Sequence, residues 1–173
     1  MDLSEQDLKK IKSLHVMLKM PIWILERETN RVLKSYKSIY KHPISYEFKE
    51  KNISDEVVRF YSGMLNEIFL CLWYQDVRIV IGAFRINNVT STEFSHVYDN
   101  LTPENKKILS EKECWEYYSS LPVYPLGDIR DYLILLGFLF DMNLEEIYSE
   151  ELHKQVGENS AGVGAEISRR YSI

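Results

Sequence analysis

Cys71 is the one side chain in this sequence that could act as a nucleophile, and it lies within the apolar segment EIFLCLWY. A reactive thiol needs an exposed, electropositive setting, whereas a cysteine between two leucines behaves as a small core residue. The four histidines are scattered, with no two at metal-ligand spacing, so we predict no zinc site. Gly162 and Gly164 do not follow a strand, which a phosphate-binding fingerprint requires. We therefore expect no catalytic residue, no metal and no cofactor.

Charge and composition exclude several classes of protein. The 173 residues include 21 Lys and Arg against 26 Asp and Glu, a net charge of −5. An acidic chain is not expected to bind DNA or anionic lipid by itself, because phosphate binding requires a basic surface. The longest strongly apolar stretch, residues 132–140, is about half of the roughly 18 residues that suggest a membrane span. Two cysteines do not make a disulfide framework, so we expect a soluble cytoplasmic protein.

Aromatic residues make up 13% of the chain, and several of them lie on predicted strands beside arginines. An apolar and aromatic sheet face with one or two buried polar groups is typical of a small-molecule pocket. Arg78 would either hold an anionic ligand or stack on the Trp73 ring. The alternative for each ring is a place in the core between sheet and helices. The residues of the predicted effector pocket are Trp23, Tyr36, Phe69, Cys71, Trp73, Arg78 and Phe84.

The run YLILLGFLF at residues 132–140 is apolar on nearly every side of a helix. Such a helix is either buried centrally or half-exposed at a subunit contact. Gly137 within it would permit the close approach of a neighbouring helix. If the helix lies at a subunit contact, we expect a homodimer. The residues of its interface would be Tyr132, Leu136, Leu139 and Phe140.

The positions of these residues depend on the order of strands and helices along the chain. Dense β-branched and aromatic residues predict strands at 22–26, 31–38, 67–74 and 77–86. Apolar periodicity predicts helices at 4–20, 54–65, 92–100, 103–120, 128–142 and 144–155, with a loop at 39–53. Because the strands come in adjacent pairs, we expect an α+β fold in which helices flank an antiparallel sheet, with a helical C-terminal lobe. Residues 1–156 would form one domain and 157–173 a flexible linker.

The strands at 67–74 and 77–86 are separated by Gln75 and Asp76 alone. A two-residue turn fixes the register of the hairpin. Both faces of this hairpin are apolar, so we expect the sheet to be covered on both sides. The pairs that this register predicts are Trp73 with Arg78, Cys71 with Val80, Phe69 with Gly82, Leu72 with Ile79 and Leu70 with Ile81.

Three segments carry a resemblance to a known family: LHVMLKMPIWILERETNRVLKSY, EIFLCLWYQDVRIVIGAFRI and YYSSLPVYPLGDIRDYLILLGFLF. Together they resemble the N-terminal sensory region of AraC-type transcriptional regulators of Gram-positive bacteria, over residues 8–156. The resemblance implies a GAF- or PAS-like sheet and a regulatory role in effector sensing, dimerisation or both. It also implies a DNA-binding half with two helix-turn-helix units, which this chain does not contain. The alternative is an interaction and dimerisation domain that binds no ligand.

Overall fold

The computed structural model describes residues 3–37, 58–142 and 144, together with the backbone of 44–47 and 164–167. The strands in these ranges are β1 (Ile22–Glu26), β2 (Val32–Tyr36), β3 (Ile44–Glu47), β4 (Val58–Ser62), β5 (Ile68–Tyr74), β6 (Val77–Phe84) and β7 (Gly164–Ile167). The helices are α1 (Glu5–Leu18), α2 (Ser91–Asp99), α3 (Pro103–Ile108), α4 (Glu111–Ser120) and α5 (Leu126–Phe140).

The centre of the fold is a five-stranded antiparallel sheet with the order β2-β1-β6-β5-β4. The predicted α+β fold, with helices flanking an antiparallel sheet, is therefore confirmed. Strands β3 and β7 form a separate antiparallel pair, which the sequence did not predict. Strand β3 lies in the expected loop at 39–53, and β7 lies in the expected linker at 157–173. The helix predicted at 144–155 lies outside the described residues, apart from Leu144.

The hairpin of β5 and β6 has the predicted register, including the pairs Trp73 with Arg78 and Phe69 with Gly82. Gln75 adopts a positive φ of 51° in the two-residue turn, which is the left-handed conformation that tight hairpins require. All residues of β6 and all but the last of β5 are buried. The expectation that the sheet is covered on both sides is thus confirmed.

The helix predicted at 54–65 is wrong for the described residues, because 58–62 form strand β4. Val58 and Tyr61 are three residues apart, a spacing that suggests one face of a helix. In the structure they face opposite sides of the sheet and belong to different cores. Local periodicity over so short a segment does not determine its conformation. Pairing with the buried strand β5 makes residues 58–62 a strand.

Two helical layers cover the sheet. Helices α1 and α5 pack on one face, which we call the α1/α5 face, through residues such as Ile11, Leu14, Ile129 and Leu133. Helices α2, α3 and α4 pack on the other, the α2–α4 face, through residues such as Phe94, Ile108, Cys114 and Tyr118. The rows of alternating side chains along each strand supply both cores.

Helix boundaries follow local capping. The Ser4 side chain accepts a hydrogen bond from the Asp7 backbone N–H, and the Asp7 carboxylate bonds back, which completes the expected capping box at the start of α1. Hydrogen bonds from Ser4 and from the Tyr74 hydroxyl hold the pKa of Asp7 below its usual value. Since Tyr74 lies on β5, the Tyr74–Asp7 hydrogen bond of 2.8 Å also ties α1 to the sheet.

Two predicted helices have different boundaries in the structure. The single helix predicted at 103–120 is two helices, because Leu109 is extended and Ser110 caps a new start through the Glu113 N–H. The helix predicted from Asp128 begins two residues earlier, directly after Pro125. It ends at Phe140, since Asp141 takes the left-handed conformation and closes the last turn.

Candidate functional site

An apolar cavity of about 370 Å³ lies on the α1/α5 face, between the two helices and the sheet. Its volume falls within the range of roughly 300 to 1,000 Å³ that is typical of small-molecule sites. The side chains around it come from α1, the sheet, the segment before α5, and α5 itself. They include Leu14, Leu18, Met20, Phe60, Leu70, Ile81, Phe84, Tyr124, Ile129, Tyr132, Leu136 and Leu139.

The sequence positions these walls through simple periodicities. Leu14 and Leu18 are four residues apart on α1, so they stack on the same side of the helix. Leu70, Ile81 and Phe84 form the floor because they belong to the side-chain row that faces α1 and α5. Helix α5 is apolar enough to contact the sheet with one side and the cavity with another.

Among the residues that the structure describes, two tyrosines are the polar members of this lining. The Tyr124 hydroxyl donates a hydrogen bond of 3.2 Å to the Leu18 carbonyl, one of the carbonyls left unpaired at the end of α1. The Tyr124 and Tyr132 rings meet edge to face, with centroids 4.7 Å apart. Burial, together with the charge interaction and hydrogen bond with the Tyr132 side chain, raises the pKa of Tyr124 to about 12. Tyr124 is therefore neutral at physiological pH.

Arg85, the residue after β6, holds Tyr124 in place. The Tyr124 N–H donates to the Arg85 carbonyl at 2.7 Å, and the Arg85 N–H donates to the Pro122 carbonyl at 2.8 Å. The buried Arg85 guanidinium donates to the carbonyls of Leu121 and Ser119 at 2.9 to 3.1 Å. The segment between α4 and α5 is thereby fixed to the end of β6, next to the cavity residue Phe84.

The structure does not bring the predicted pocket residues together. Phe84 lines the cavity. Tyr36 lies on the same face of the sheet, where its ring stacks on that of His15, a residue of α1. The other predicted residues lie on the α2–α4 face, because side chains alternate along a strand and these occupy the opposite row. They are Trp23, Phe69, Cys71, Trp73 and Arg78.

Trp73 and Arg78 form a stacked pair on that opposite face. The Arg78 guanidinium lies 4.0 Å from the centre of the Trp73 ring, and Arg27 lies 4.2 Å from it. Of the two roles considered for Arg78, the structure shows the cation–π stack. Burial raises the pKa of Cys71 to about 12, although the nearby Arg78 opposes this shift. Since a thiol with this pKa is protonated at neutral pH, Cys71 is a poor nucleophile.

The residues of the predicted dimer interface divide into two groups. Leu136 and Phe140 are 3% and 2% exposed and belong to the core, so neither presents a free surface to a second subunit. Tyr132 is half-buried, and Leu139 is 37% exposed at the rim of the cavity. Gly137 does permit a close approach, but to the chain that follows α5, since a Cβ there would lie 2.4 Å from the Met142 carbonyl oxygen.

Sequence reasoning missed most of the cavity, because it placed the pocket on strands alone. Leu14, Leu18 and Met20 come from α1 and its C-terminal end, and Ile129 comes from α5. The sequence signal for this site was that α5 is apolar on several sides. A helix of this kind contacts more than one layer, whereas only central burial or a subunit contact was predicted for it.

Within the described ranges, no group of three or more His, Cys, Asp or Glu side chains is placed to hold a metal ion. Among the same residues, no helix combines the length and apolarity needed to cross a membrane. No protein-family model, curated protein or solved structure matches the sequence.

Proposed function

We propose that this chain is the effector-sensing module of an AraC-type transcriptional regulator that works in the cytoplasm, with the cavity on the α1/α5 face as its ligand site. The observation that carries the proposal is the cavity itself, which is large enough for a small organic molecule and lined almost wholly by apolar side chains. The sequence resemblance to AraC-type sensory regions supplies the regulatory part of the proposal.

The position of the cavity suits a sensor. Its walls belong to two helices and the sheet, so a bound molecule contacts three parts of the fold at once. It also contacts Tyr124, whose backbone N–H is bonded to Arg85, the residue that follows β6. The Arg85 guanidinium in turn bonds the Leu121 carbonyl at the end of α4. A ligand that binds the folded state alone stabilises it by mass action, whatever the downstream response.

Leu18→Trp is expected to abolish ligand binding, because the larger ring fills the cavity between α1 and α5. In wild-type protein, an apolar ligand at 100 times its dissociation constant contributes about 2.7 kcal/mol. That corresponds to a rise in melting temperature of roughly 5 to 10 °C for a chain of this size. Differential scanning fluorimetry against a panel of neutral apolar metabolites measures the rise in both proteins.

The matched control is Ser13→Trp, which introduces the same ring on the same helix at an exposed position outside the cavity lining. Ser13→Trp should retain the full thermal shift. If Leu18→Trp responds to the ligand as strongly as the control does, the ligand binds elsewhere and the proposed site is wrong.

A second function, dimerisation, is favoured by the exposed apolar residues of α1 and α5. Of the six large apolar side chains that the structure shows as exposed, five lie on these helices: Val16, Met17, Leu135, Phe138 and Leu139. The exposed charges of the two helices differ in net sign. Helix α1 and its cap present three lysines and one glutamate, whereas α5 and its cap present three aspartates and one arginine: Lys9, Lys12, Lys19 and Glu5 against Asp128, Asp131, Asp141 and Arg130. A two-fold axis that places α1 against α5 of a second copy would therefore bring together apolar side chains and charges of opposite sign.

Phe138→Glu is expected to convert a dimer into a monomer, because Phe138 is 82% exposed on this surface, where it also lines the mouth of the cavity. The fold should tolerate the change within about 0.5 kcal/mol, as surface substitutions do. Val32→Glu is the control, since Val32 is an exposed apolar residue that lies on β2 and on neither helix. Light scattering after size exclusion gives the masses. A monomeric wild-type protein, or equal masses for the two variants, would refute the dimer.

A further inference from the structure

The cavity on the α1/α5 face opens onto the exposed apolar surface of the two helices. Of the five exposed apolar residues on α1 and α5, four also line the cavity and form its mouth: Met17, Leu135, Phe138 and Leu139. At the opposite end, the floor residues Leu70 and Ile81 are buried in the sheet. The cavity therefore runs from the sheet to the outer surface of the helices, and a partner that docks on this surface closes it.

Closure of the mouth and occupation of the cavity favour each other. If the cavity is empty, a partner over the mouth faces a void, and the side chains around a void lose their contacts on that side. If a ligand fills the cavity, its outer end and the mouth residues together give the partner a continuous apolar surface to bury. Coupling between two binding events is reciprocal, so the partner also holds the ligand more tightly.

A second copy of this chain is the partner that fits the surface. Exposed lysines predominate on α1, and exposed aspartates predominate on α5. A surface that carries the two signs on separate helices is complementary to itself. In a two-fold contact the same patch serves both copies, so α1 of each faces α5 of the other. Because each mouth lies between these helices, the two mouths meet, and each copy closes the cavity of its partner.

We infer that a second copy of this chain closes the cavity, so that dimerisation and the binding of a ligand contained in the cavity strengthen each other. This inference rests on both proposed functions, ligand binding and dimerisation, and names how each regulates the other. The cavity has room for roughly twelve groups of the size of a water molecule, each of which occupies about 30 Å³ in the liquid. A neutral chain of about nine carbons is therefore contained, whereas a ligand with a bulky end at the mouth keeps the two copies apart.

The experiment compares two neutral probes with the same chain, 1-nonanol and nonyl glucoside, the latter below the concentration at which it forms micelles. The sugar of the glucoside is too large for the remaining space, so it lies at the mouth. Sedimentation velocity over a range of protein concentrations gives the dimer dissociation constant of the whole chain with and without each probe. We expect saturating 1-nonanol to lower this constant at least about fivefold, and nonyl glucoside to raise it at least about fivefold, the low end of typical coupling between sites. Differential scanning fluorimetry shows independently that each probe binds.

Two glutamate variants test whether the surface of α1 and α5 carries the coupling. Val16→Glu places a charge on this surface, at a residue that is 64% exposed and outside the cavity lining. This variant should be monomeric and bind 1-nonanol with one affinity at all protein concentrations. Val32→Glu, on β2, should behave as the wild type. For the wild type and Val32→Glu, isothermal titration calorimetry should show binding of 1-nonanol that is at least about fivefold tighter above the dimer dissociation constant than below it.

The outcomes distinguish this inference from the proposed ligand site. If neither probe raises the melting temperature of the wild type, the ligand site and this inference both fail. If 1-nonanol binds and the dimer dissociation constant falls by less than about fivefold, or rises, the ligand site stands and the coupling is wrong. A wild type that stays monomeric with and without 1-nonanol, or a nonyl glucoside that strengthens the dimer, also overturns the inference. These wild-type measurements decide the matter even if Val16→Glu does not fold.

Discussion

Arg85→Met is expected to lower the free energy of unfolding by about 3 kcal/mol, because it leaves buried carbonyls without their charged donor. The guanidinium makes three hydrogen bonds, two to the Leu121 carbonyl and one to that of Ser119. It also lies 5.3 Å from the centre of the Tyr118 ring. The methionine matches the aliphatic part of the side chain but donates nothing. Urea denaturation followed by circular dichroism measures the loss.

Two further variants test the cause of this loss. Arg85→Lys keeps the charge but not the planar fork of donors, so we expect an intermediate stability. Lys107→Met removes a positive charge from an exposed position on α3 and should change the stability by less than about 0.5 kcal/mol. If Arg85→Met and Lys107→Met unfold at the same urea concentration, the buried hydrogen bonds do not stabilise the fold as argued.

Gly82→Ala is expected to destabilise the protein by roughly 3 kcal/mol or more, through overpacking and backbone strain. A Cβ on Gly82 would lie 2.7 Å from Cδ1 of Phe69 and 2.9 Å from the Ile68 carbonyl oxygen. Its φ of 157° is also a conformation that L side chains rarely adopt. Because β6 is the central strand, neither neighbour can move away without disturbing the sheet. Thermal and urea unfolding both report the effect.

Gly127→Ala provides the matched control. Gly127 lies in the first turn of α5, and a Cβ there would meet no atom within 4 Å. Alanine is the better helix former by up to about 1 kcal/mol, so this variant should be as stable as the wild type or slightly more so. Equal stabilities for the two alanine variants would show that the close contact at Gly82 is tolerated.

The hairpin of β5 and β6 is the part of the fold that sequence reasoning predicted most completely. The turn has only Gln75 and Asp76, and a shift by one residue would move every side chain to the wrong face. The register is therefore strongly specified by a local signal. Strand β4 lacks such a signal, because its conformation depends on pairing with β5. At four of its five positions the paired residue lies eight or more residues further along the chain.

The candidate site was harder to predict, because its residues are distant in sequence. Leu18 and Tyr124 are 106 positions apart, yet a hydrogen bond joins them across the cavity wall. The aromatic residues of the strands are easily recognised in the sequence. The sequence alone does not show which face of the sheet each helix covers. Of the seven predicted pocket residues, Phe84 alone lines the cavity, since it faces α1 and α5.

Phe84 and Arg85 are consecutive residues that serve different layers of the molecule. Phe84 contributes to the floor of the cavity, and Arg85 anchors the carbonyl end of α4 on the far side of the sheet. A peptide bond joins them, so the same stretch of backbone positions the cavity floor and the guanidinium that bonds the end of α4. The two helical layers are in this way connected through consecutive residues of one strand end.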